Sequence, residues 1–231
     1  MTIGKIYPYP YLLFLYVYKH GAILTMQAFG NNSTVGIESR TKMSKKTAVL
    51  LLAEGAEEME AVIAVDVLRR AGILVTVVSI DNLDVVTCSR GVKICPDEQL
   101  TEGFKDKIYD VVILPGGLAG SQALAKSDEV GAILRKQISE DRFIAAICAA
   151  PIALKAHGIA KGKKITSYPT MEDEFQEEYT YVHDKVVIDG KIITSQGPST
   201  AYLFGLAIVE TLIGKPEATT VAKAMLCDEY K

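Results

Sequence analysis

The sequence predicts an α/β fold in which a mostly parallel sheet is covered by helices on both faces. Short apolar runs at 47–52, 73–80, 109–114 and 143–147 have the continuous hydrophobic pattern of parallel strands that are buried on both faces. Helical patterns separate these runs, so strands and helices alternate as in right-handed βαβ units. The chain has 231 residues, of which 49% are hydrophobic and 23% charged, and this is enough to bury one full core.

The first half of the predicted domain is a βαβ unit followed by a hairpin and a long helix. The first helix is predicted over 57–70, and Gly72 supplies its C-terminal stop. Two short apolar segments within 85–95 predict a small hairpin that projects from the main sheet. The apolar positions within 121–139 predict a single helix that leads into the fourth strand.

The second half of the domain continues with shorter elements. Asp189-Gly190 lies between two apolar segments and is a strong hairpin signal. Ser199 stands where a helix N-cap is expected, and Pro216 is suited to the first turn of a final helix. The elements predicted here are a helix at 151–157, a strand at 164–167, an exposed acidic helix or loop at 171–178, a hairpin at 185–194, and helices at 199–213 and 216–226.

Residues 1–42 differ from the rest of the chain and are predicted to be an N-terminal extension that is either disordered or targeting. Its apolar run from Tyr11 to Tyr18 has eight residues, and a membrane-spanning helix needs roughly 20. We therefore expect no membrane span, although the run could belong to a signal peptide or an organelle-targeting segment. Met43 precedes the first strand, so the folded domain is predicted to cover 43–231.

Charge and cysteine content exclude several classes of function. The net charge is −3 and the basic residues are scattered, so no direct nucleic-acid site is expected. The four cysteines form no C-x-x-C pair and the chain has three histidines, so no metal site is expected. Neither a Gly-x-Gly-x-x-Gly motif nor a P-loop occurs, and we expect no cofactor. A core of this size needs no disulfides, which indicates reduced thiols in the cytosol, nucleus or mitochondrial matrix.

Cys148 is the candidate nucleophile of the chain. It ends the apolar run from Phe143 and is followed by Ala149-Ala150-Pro151, a pattern that predicts a strand delivering a thiol into a sharp turn. A thiol at the N-terminus of the next helix faces free N–H groups and the positive end of the helix dipole, and both lower its pKa. The alternative is a small cysteine buried in the core without a chemical role.

Neighbouring strands are expected to bring further groups to the same edge of the sheet, because the carboxyl ends of parallel strands lie together. Pro115-Gly116-Gly117 follows one of these strands. Its backbone N–H groups and that of Ala149 are suited to bind an oxyanion or another anion. A tight turn without a ligand is the other interpretation of this motif.

Three carboxylates, Glu57, Glu58 and Glu60, follow the first strand. They cannot all face one way on a helix or tight turn, and most of them are expected to be solvated or to favour the helix N-terminus. One that turned inward beside a thiolate would stay protonated and could act as a general acid and base. The spacing alone does not distinguish which of the three this is.

Seven segments between about Lys45 and Leu226 resemble motifs of the ThiJ/PfpI superfamily and occur in the same order. They are Gly55–Glu60 (GAEEME), Val65–Gly72 (VDVLRRAG), Cys88–Arg90 (CSR), Ile94–Asp97 (ICPD), Asp110–Gly117 (DVVILPGG), Ile144–Pro151 (IAAICAAP) and Thr194–Pro198 (TSQGP). Several long motifs in one order make this resemblance highly specific.

The resemblance implies a flavodoxin-like three-layer sandwich and a homodimer. It implies that Cys148 is the nucleophile and that Glu60 is its inward-facing carboxylic acid partner. The N–H groups of Gly117 and Ala149 are then placed around the substrate or the oxidised sulfur. Cys95 and Cys88 match secondary oxidation sites in the same family.

The function implied by the resemblance is that of a cofactor-independent glyoxalase and protein deglycase. Its substrates would be methylglyoxal, glyoxal and early glycation adducts on proteins, and oxidation of the same cysteine would protect against oxidative stress. The alternative is a non-enzymatic redox sensor and redox-regulated chaperone. The expected location is cytoplasmic, extending to the nucleus and mitochondrion.

Three positions bear on the chemistry that the resemblance implies. Tyr168 stands where the best-known vertebrate members have a histidine near the nucleophile, so a Cys-His dyad is in doubt and the tyrosine hydroxyl becomes a candidate donor. Gln196 replaces the usual arginine of Ser-Arg-Gly-Pro and removes one positive charge. Ala149 follows the cysteine where the peptidase branch has histidine, so no peptidase activity is expected.

Overall fold

The computed structural model describes residues 15–17, 23–25 and 45–230. The chain divides into two units, residues 1–43 and 44–231. In the first unit, β1 (Leu15–Val17) pairs in antiparallel orientation with β2 (Ile23–Thr25). The predicted disordered or targeting extension at 1–42 lies almost entirely outside the described residues and stays a prediction.

The second unit is an alternation of strands and helices. Its strands are β3 (Thr47–Leu52), β4 (Leu74–Ser79), β5 (Val86–Thr87), β6 (Lys93–Ile94), β7 (Glu98–Gln99), β8 (Val111–Leu114), β9 (Phe143–Ile147), β10 (Lys164–Ile165), β11 (Thr180–Tyr181), β12 (Val186–Asp189) and β13 (Ile192–Ser195). Its α-helices are α1 (Glu58–Arg70), α2 (Leu118–Lys126), α3 (Asp128–Ser139), α4 (Pro151–Ala156), α5 (Ala201–Ile213) and α6 (Lys215–Ala224). Short 3-10 helices lie at Glu102–Asp106, Pro169–Glu174 and Pro198–Thr200.

The main sheet has seven strands in the order β12-β13-β9-β8-β3-β4-β7. All neighbouring pairs are parallel except β12 and β13, which form the predicted hairpin at one edge. The sheet and its surrounding helices confirm the predicted α/β class. Because β3, β8, β9 and β13 are adjacent and parallel, their carboxyl ends meet at one edge, where the candidate residues follow them.

The core has two layers, one on each face of the sheet. Leu50 and Leu51 are adjacent on β3 and fully buried, but they belong to opposite layers because side chains alternate along a strand. The Leu50 layer contains Phe204 of α5, and the Leu51 layer contains Leu134 of α3. The three-layer arrangement of helices, sheet and helices is therefore confirmed.

Two local predictions are wrong, and one edge strand was not predicted. The predicted helix at 121–139 is two helices, and Ser127 separates them: its Oγ accepts a hydrogen bond from the Val130 N–H at 3.3 Å and caps α3. Ser199 is not the cap of α5, because a 3-10 turn precedes the helix and Thr200 is its flanking residue. The edge strand β7 was not predicted, since two residues are too short to show an alternating pattern.

No helix within the described part of the chain is long and apolar enough to cross a membrane.

Candidate active site

Cys148 lies in the turn between β9 and α4 and has a φ of +62°. This left-handed conformation is unfavourable for a residue with a side chain and costs roughly 1–2 kcal/mol. Two backbone hydrogen bonds hold it: the Cys148 N–H donates to the Ser195 carbonyl at 2.9 Å, and the Tyr168 N–H donates to the Cys148 carbonyl at 2.8 Å. The predicted sharp turn is therefore present, fixed from both sides by other segments.

Glu60 is the carboxylate that faces inward, and it is fully buried in the first turn of α1. Its Oε2 accepts a hydrogen bond from the Gly116 N–H at 2.7 Å. Its Oε1 is buried and has no hydrogen-bond partner among the residues described. Burial raises the pKa of Glu60 to about 7, with a smaller contribution from the charge of Glu57 and opposition from the Gly116 N–H and the Cys148 thiol.

The other two carboxylates have structural roles. Glu57 precedes α1, and its Oε1 accepts a hydrogen bond from the Met59 N–H at 3.4 Å. Glu58 faces the β5–β6 hairpin, where it accepts hydrogen bonds from the Ser89 hydroxyl at 2.9 Å and the Arg90 N–H at 2.9 Å. Because α1 begins at Glu58, the side chain of Glu60 points toward the thiol. The spacing of the three glutamates alone did not distinguish which of them would do so.

Gly116 lies between the side chains of Glu60 and Cys148 at very short range. A Cβ at this position would stand 2.5 Å from Glu60 Oε2 and 2.6 Å from Cys148 Cβ, so only glycine fits. The Gly116 N–H is bonded to Glu60 and is not directed at an oxyanion, which differs from its predicted role. Gly116 instead allows the carboxyl and the cysteine to approach each other.

The sulfur of Cys148 receives hydrogen bonds from the backbone N–H groups of Gly117 and Ala149, and its thiol also interacts with the Glu60 carboxyl. Gly117 has a φ of +81°, and a Cβ there would stand 2.4 Å from the Gly55 carbonyl oxygen, so glycine is required for this loop to aim its N–H. The structure therefore brings both predicted N–H donors to the sulfur.

The predicted lowering of the Cys148 pKa is wrong for the state in which Glu60 is ionised. Burial, followed by the negative charge of Glu60, raises the pKa of the thiol to about 12, and these effects exceed the opposing hydrogen bonds from Gly117 and Ala149. The helix that follows has six residues, so its dipole is small. Because the two groups repel as anions, at least one proton stays on the pair near neutral pH.

Tyr168 contacts Cys148 through its backbone N–H, and this contact had no sequence signal. Its side chain is 45% exposed, and the ring lies 3.6 Å from the point where a Gly197 Cβ would stand. The Gln196 amide donates to the His183 carbonyl at 3.1 Å. The Ser195 carbonyl, which accepts from Cys148, was also missed, because a backbone acceptor leaves no residue-type pattern.

The histidines in the described region bond to other groups. His157 Nε2 lies 2.9 Å from the Leu124 carbonyl oxygen. His183 Nε2 lies 3.5 Å from a carboxylate oxygen of Glu172. Among the described residues, the ionisable side chain that interacts with the Cys148 thiol is therefore the Glu60 carboxyl.

The remaining cysteines are free thiols away from this pair. Cys88 is buried, and desolvation together with Glu58, Glu57 and Glu54 raises its pKa to about 11, which opposes the predicted oxidation there. Cys95 is exposed and lines a cavity of about 300 Å³ beside α1. Within the ranges described, no group of three or more His, Cys, Asp or Glu side chains is placed to hold a metal ion.

A parallel α/β sheet whose strand-end turn holds a cysteine beside a buried carboxyl defines a class of cysteine-centred α/β proteins, and comparison with known proteins specifies the family. Residues 46–211 match the model of the DJ-1/PfpI family. The chain therefore belongs to the DJ-1/PfpI family.

Individual relatives agree with this assignment. Protein dj-1beta of Drosophila melanogaster is 54% identical over 182 residues, which cover 78% of this chain and 97% of that protein. The crystal structure of the Drosophila melanogaster DJ-1beta matches with a TM-score of 0.77 and 53% identity, covering 79% of this chain and 98% of that one. A Caenorhabditis elegans relative named glutathione-independent glyoxalase DJR-1.2 is 41% identical over 184 residues, covering 79% of this chain and 96% of that protein. The family therefore includes a protein named as a glyoxalase.

Proposed function

We propose that the protein is a cofactor-independent glyoxalase that converts methylglyoxal to lactate and glyoxal to glycolate. The observation that supports this most directly is the pairing of the Cys148 thiol with the buried carboxyl of Glu60, whose Oε1 has no hydrogen-bond partner within the described part of the chain. A carboxyl with a pKa of about 7 can both accept and return a proton at neutral pH. The name of the Caenorhabditis elegans relative supports the same substrate class.

In the first step, the sulfur of Cys148 adds to the aldehyde carbon of methylglyoxal. Glu60 takes the thiol proton as the carbon–sulfur bond forms and passes it to the former aldehyde oxygen, which gives a hemithioacetal and leaves Glu60 ionised. The N–H groups of Gly117 and Ala149 donate to the sulfur in the resting protein, and they stabilise negative charge at this position.

In the second step, Glu60 removes the proton from the carbon bonded to sulfur and an enediol forms. The carboxyl then returns a proton to the adjacent carbon, which converts the hemithioacetal into a thioester of lactate without any net redox change. Water hydrolyses the thioester, releases lactate and restores the thiol of Cys148. Overall, one methylglyoxal and one water give one lactic acid.

Lactate formation from methylglyoxal in the absence of glutathione tests this proposal. We expect Cys148→Ser and Glu60→Ala each to lose turnover by about 100-fold or more. Cys227→Ser is the matched control, because Cys227 follows α6 and is a free thiol outside the pair. Wild-type turnover that persists in either site variant would contradict the proposal.

The same chemistry on early glycation adducts would make the protein a deglycase, and this stays a proposal. The adduct carries a carbonyl carbon that Cys148 could attack as it attacks methylglyoxal. Because the adduct also releases free methylglyoxal, the assay compares the protein with a scavenger of that aldehyde. The deglycase proposal predicts that the purified protein removes the adduct from a glycated peptide faster than an efficient scavenger of free methylglyoxal does.

A redox-sensing role is a second candidate, favoured by the two N–H groups that already donate to the Cys148 sulfur. Two equivalents of hydrogen peroxide would convert the thiol to a sulfinic acid and release two waters. The new oxyanion would find donors in Gly117, Ala149 and a protonated Glu60. Peptide mass spectrometry during a peroxide titration should show two added oxygens on Cys148 before any on Cys88 or Cys95.

We also propose that the protein is a homodimer located in the cytoplasm. Met59 and Val62 of α1 are 50% and 51% exposed, and Val62 lines the cavity that Cys95 also lines. An exposed apolar face of this kind favours association with a second copy. Sedimentation velocity of the wild type and of Val62→Glu tests the assembly, since a buried charge should shift the dimer to monomer. Fractionation of cells tests the location.

A further inference from the structure

The strained conformation of Cys148 depends on the position of the Ser195 carbonyl, which accepts its N–H at 2.9 Å. Ser195 is the last residue of β13 and is fully buried. Its carbonyl could shift with the loop that follows, which contains Gly197 with an extended φ of 166° and a short 3-10 turn. The contacts that hold the end of β13 in place therefore also hold the backbone of Cys148.

Two buried hydroxyl groups meet at this point. Ser195 Oγ lies 2.7 Å from Thr200 Oγ1 and 2.7 Å from the Lys185 carbonyl oxygen. Thr200 Oγ1 lies 3.1 Å from the Gly197 N–H nitrogen and 2.9 Å from the Gly197 carbonyl oxygen. These contacts connect the end of β13, the loop that follows it and the residue that precedes β12.

Counting the protons gives the hydrogen bonds a direction. The two hydroxyl groups have two protons to donate, but three contacts could each use one. These are the contact between the two hydroxyl oxygens, the contact of Ser195 with the Lys185 carbonyl and the contact of Thr200 with the Gly197 carbonyl. The Gly197 carbonyl already accepts a hydrogen bond from the Thr200 backbone N–H at 2.9 Å. The Lys185 carbonyl accepts from the Ser195 hydroxyl. The arrangement that gives a proton to both 2.7 Å contacts runs from the Gly197 N–H to Thr200, from Thr200 to Ser195, and from Ser195 to the Lys185 carbonyl. It leaves without a proton only the longer contact between Thr200 Oγ1 and the Gly197 carbonyl, which already has a backbone donor.

We propose that Ser195 and Thr200 are positioning residues for Cys148, acting through this directed chain of hydrogen bonds that holds the Ser195 carbonyl against the Cys148 N–H. Each hydroxyl both accepts and donates, so the bonds strengthen one another and the loop has one arrangement. The inference deepens the proposed function and rests on Cys148 being its nucleophile. Neither hydroxyl touches the substrate; both act through the backbone of the cysteine.

The test replaces Thr200 by valine, which keeps the shape of the side chain and removes its hydroxyl. Thr200→Ser keeps the hydroxyl and is the conservative rescue. Thr211→Val is the matched control, because it removes a hydroxyl from α5 that donates to the Ala207 carbonyl at 2.7 Å. Ser195→Ala removes the second hydroxyl of the chain and provides the measurement if Thr200→Val does not fold.

Two rates are measured for each folded variant: alkylation of Cys148 by iodoacetamide, followed by peptide mass spectrometry, and kcat and KM for methylglyoxal. We expect Thr200→Val to slow alkylation and to lower kcat by roughly tenfold or more with KM within about twofold, because small displacements of a reacting atom have large effects on rate. Thr200→Ser and Thr211→Val should remain within about threefold of the wild type.

The proposal is overturned if Thr200→Val alkylates at the wild-type rate, if Thr200→Ser is as slow as Thr200→Val, or if Thr211→Val is slowed equally. The alkylation rate reports on the cysteine without any glyoxalase turnover. A wild-type protein that produces no lactate would therefore contradict the proposed function and still leave the positioning role measurable.

Discussion

The Cys148 thiol and the Glu60 carboxyl interact directly, although one belongs to the turn after β9 and the other to the first turn of α1. Gly116 makes this approach geometrically feasible, because it has no side chain between them. The pair keeps at least one proton near neutral pH, so the charge of each group influences the protonation of the other.

Replacing Glu60 by glutamine should make Cys148 more reactive toward a simple alkylating agent. The negative charge of Glu60 is the second-largest cause of the raised thiol pKa, after burial, and the amide has no such charge. Alkylation by iodoacetamide at pH 8 should therefore be several-fold faster in Glu60→Gln, by roughly tenfold for each unit that the pKa falls. Glu57→Gln is the control and should leave the rate nearly unchanged.

The stability of the wild-type protein should fall as the pH rises from 4.5 to about 7, the range between the ordinary and the folded-state pKa of Glu60. Within this range the folded protein keeps a proton on Glu60 that the unfolded chain releases, so rising pH favours unfolding. The loss attributable to this group is about 1–3 kcal/mol. Urea unfolding at pH 5 and pH 8 measures it, and the Glu60→Gln protein should show a smaller difference between the two.

Gly116→Ala should damage both stability and the site. The new Cβ would stand 2.5 Å from Glu60 Oε2, 2.6 Å from Cys148 Cβ and 2.9 Å from the Ile147 carbonyl oxygen. We expect a loss of about 1–3 kcal/mol in the free energy of unfolding, as for other overpacked positions. Gly103→Ala is the control, because a Cβ there meets no atom within 4 Å. Equal unfolding midpoints for the two variants would contradict the packing described.

Cys148→Gly should be more stable than Cys148→Ala by about 0.5–1 kcal/mol. The φ of +62° disfavours any residue with a Cβ, whereas glycine adopts it without steric cost. The greater freedom of glycine in the unfolded chain offsets part of the gain. Thermal unfolding of the two variants side by side measures the difference. A less stable glycine variant would mean that the turn carries no strain.

Much of the fold could be predicted from the sequence, because buried parallel strands leave long apolar runs. The strands β3 and β9 and the hairpin of β12 and β13 follow the predicted positions closely. The break at Ser127 was missed, because its signal is a single capping serine between two apolar segments.

The site was predictable only in part. The turn pattern indicated Cys148, but the choice of Glu60 over Glu57 and Glu58 depends on where α1 begins. The raised thiol pKa follows from the burial of two acidic groups together, which a linear pattern does not contain. The Tyr168 N–H donates to the Cys148 carbonyl, and the Cys148 N–H donates to the Ser195 carbonyl. Both hydrogen bonds join backbone atoms, so no residue type in the sequence indicates them.

The most direct test of the cysteine–carboxyl account is to incubate Glu60→Gln with methylglyoxal and to map the adducts by peptide mass spectrometry. The amide cannot carry the proton between the two carbons, so the reaction should stop at the hemithioacetal. The account predicts one methylglyoxal on Cys148 and little or no lactate. Lactate formation at the wild-type rate, or adducts on Cys95 and Cys227 but none on Cys148, would contradict it.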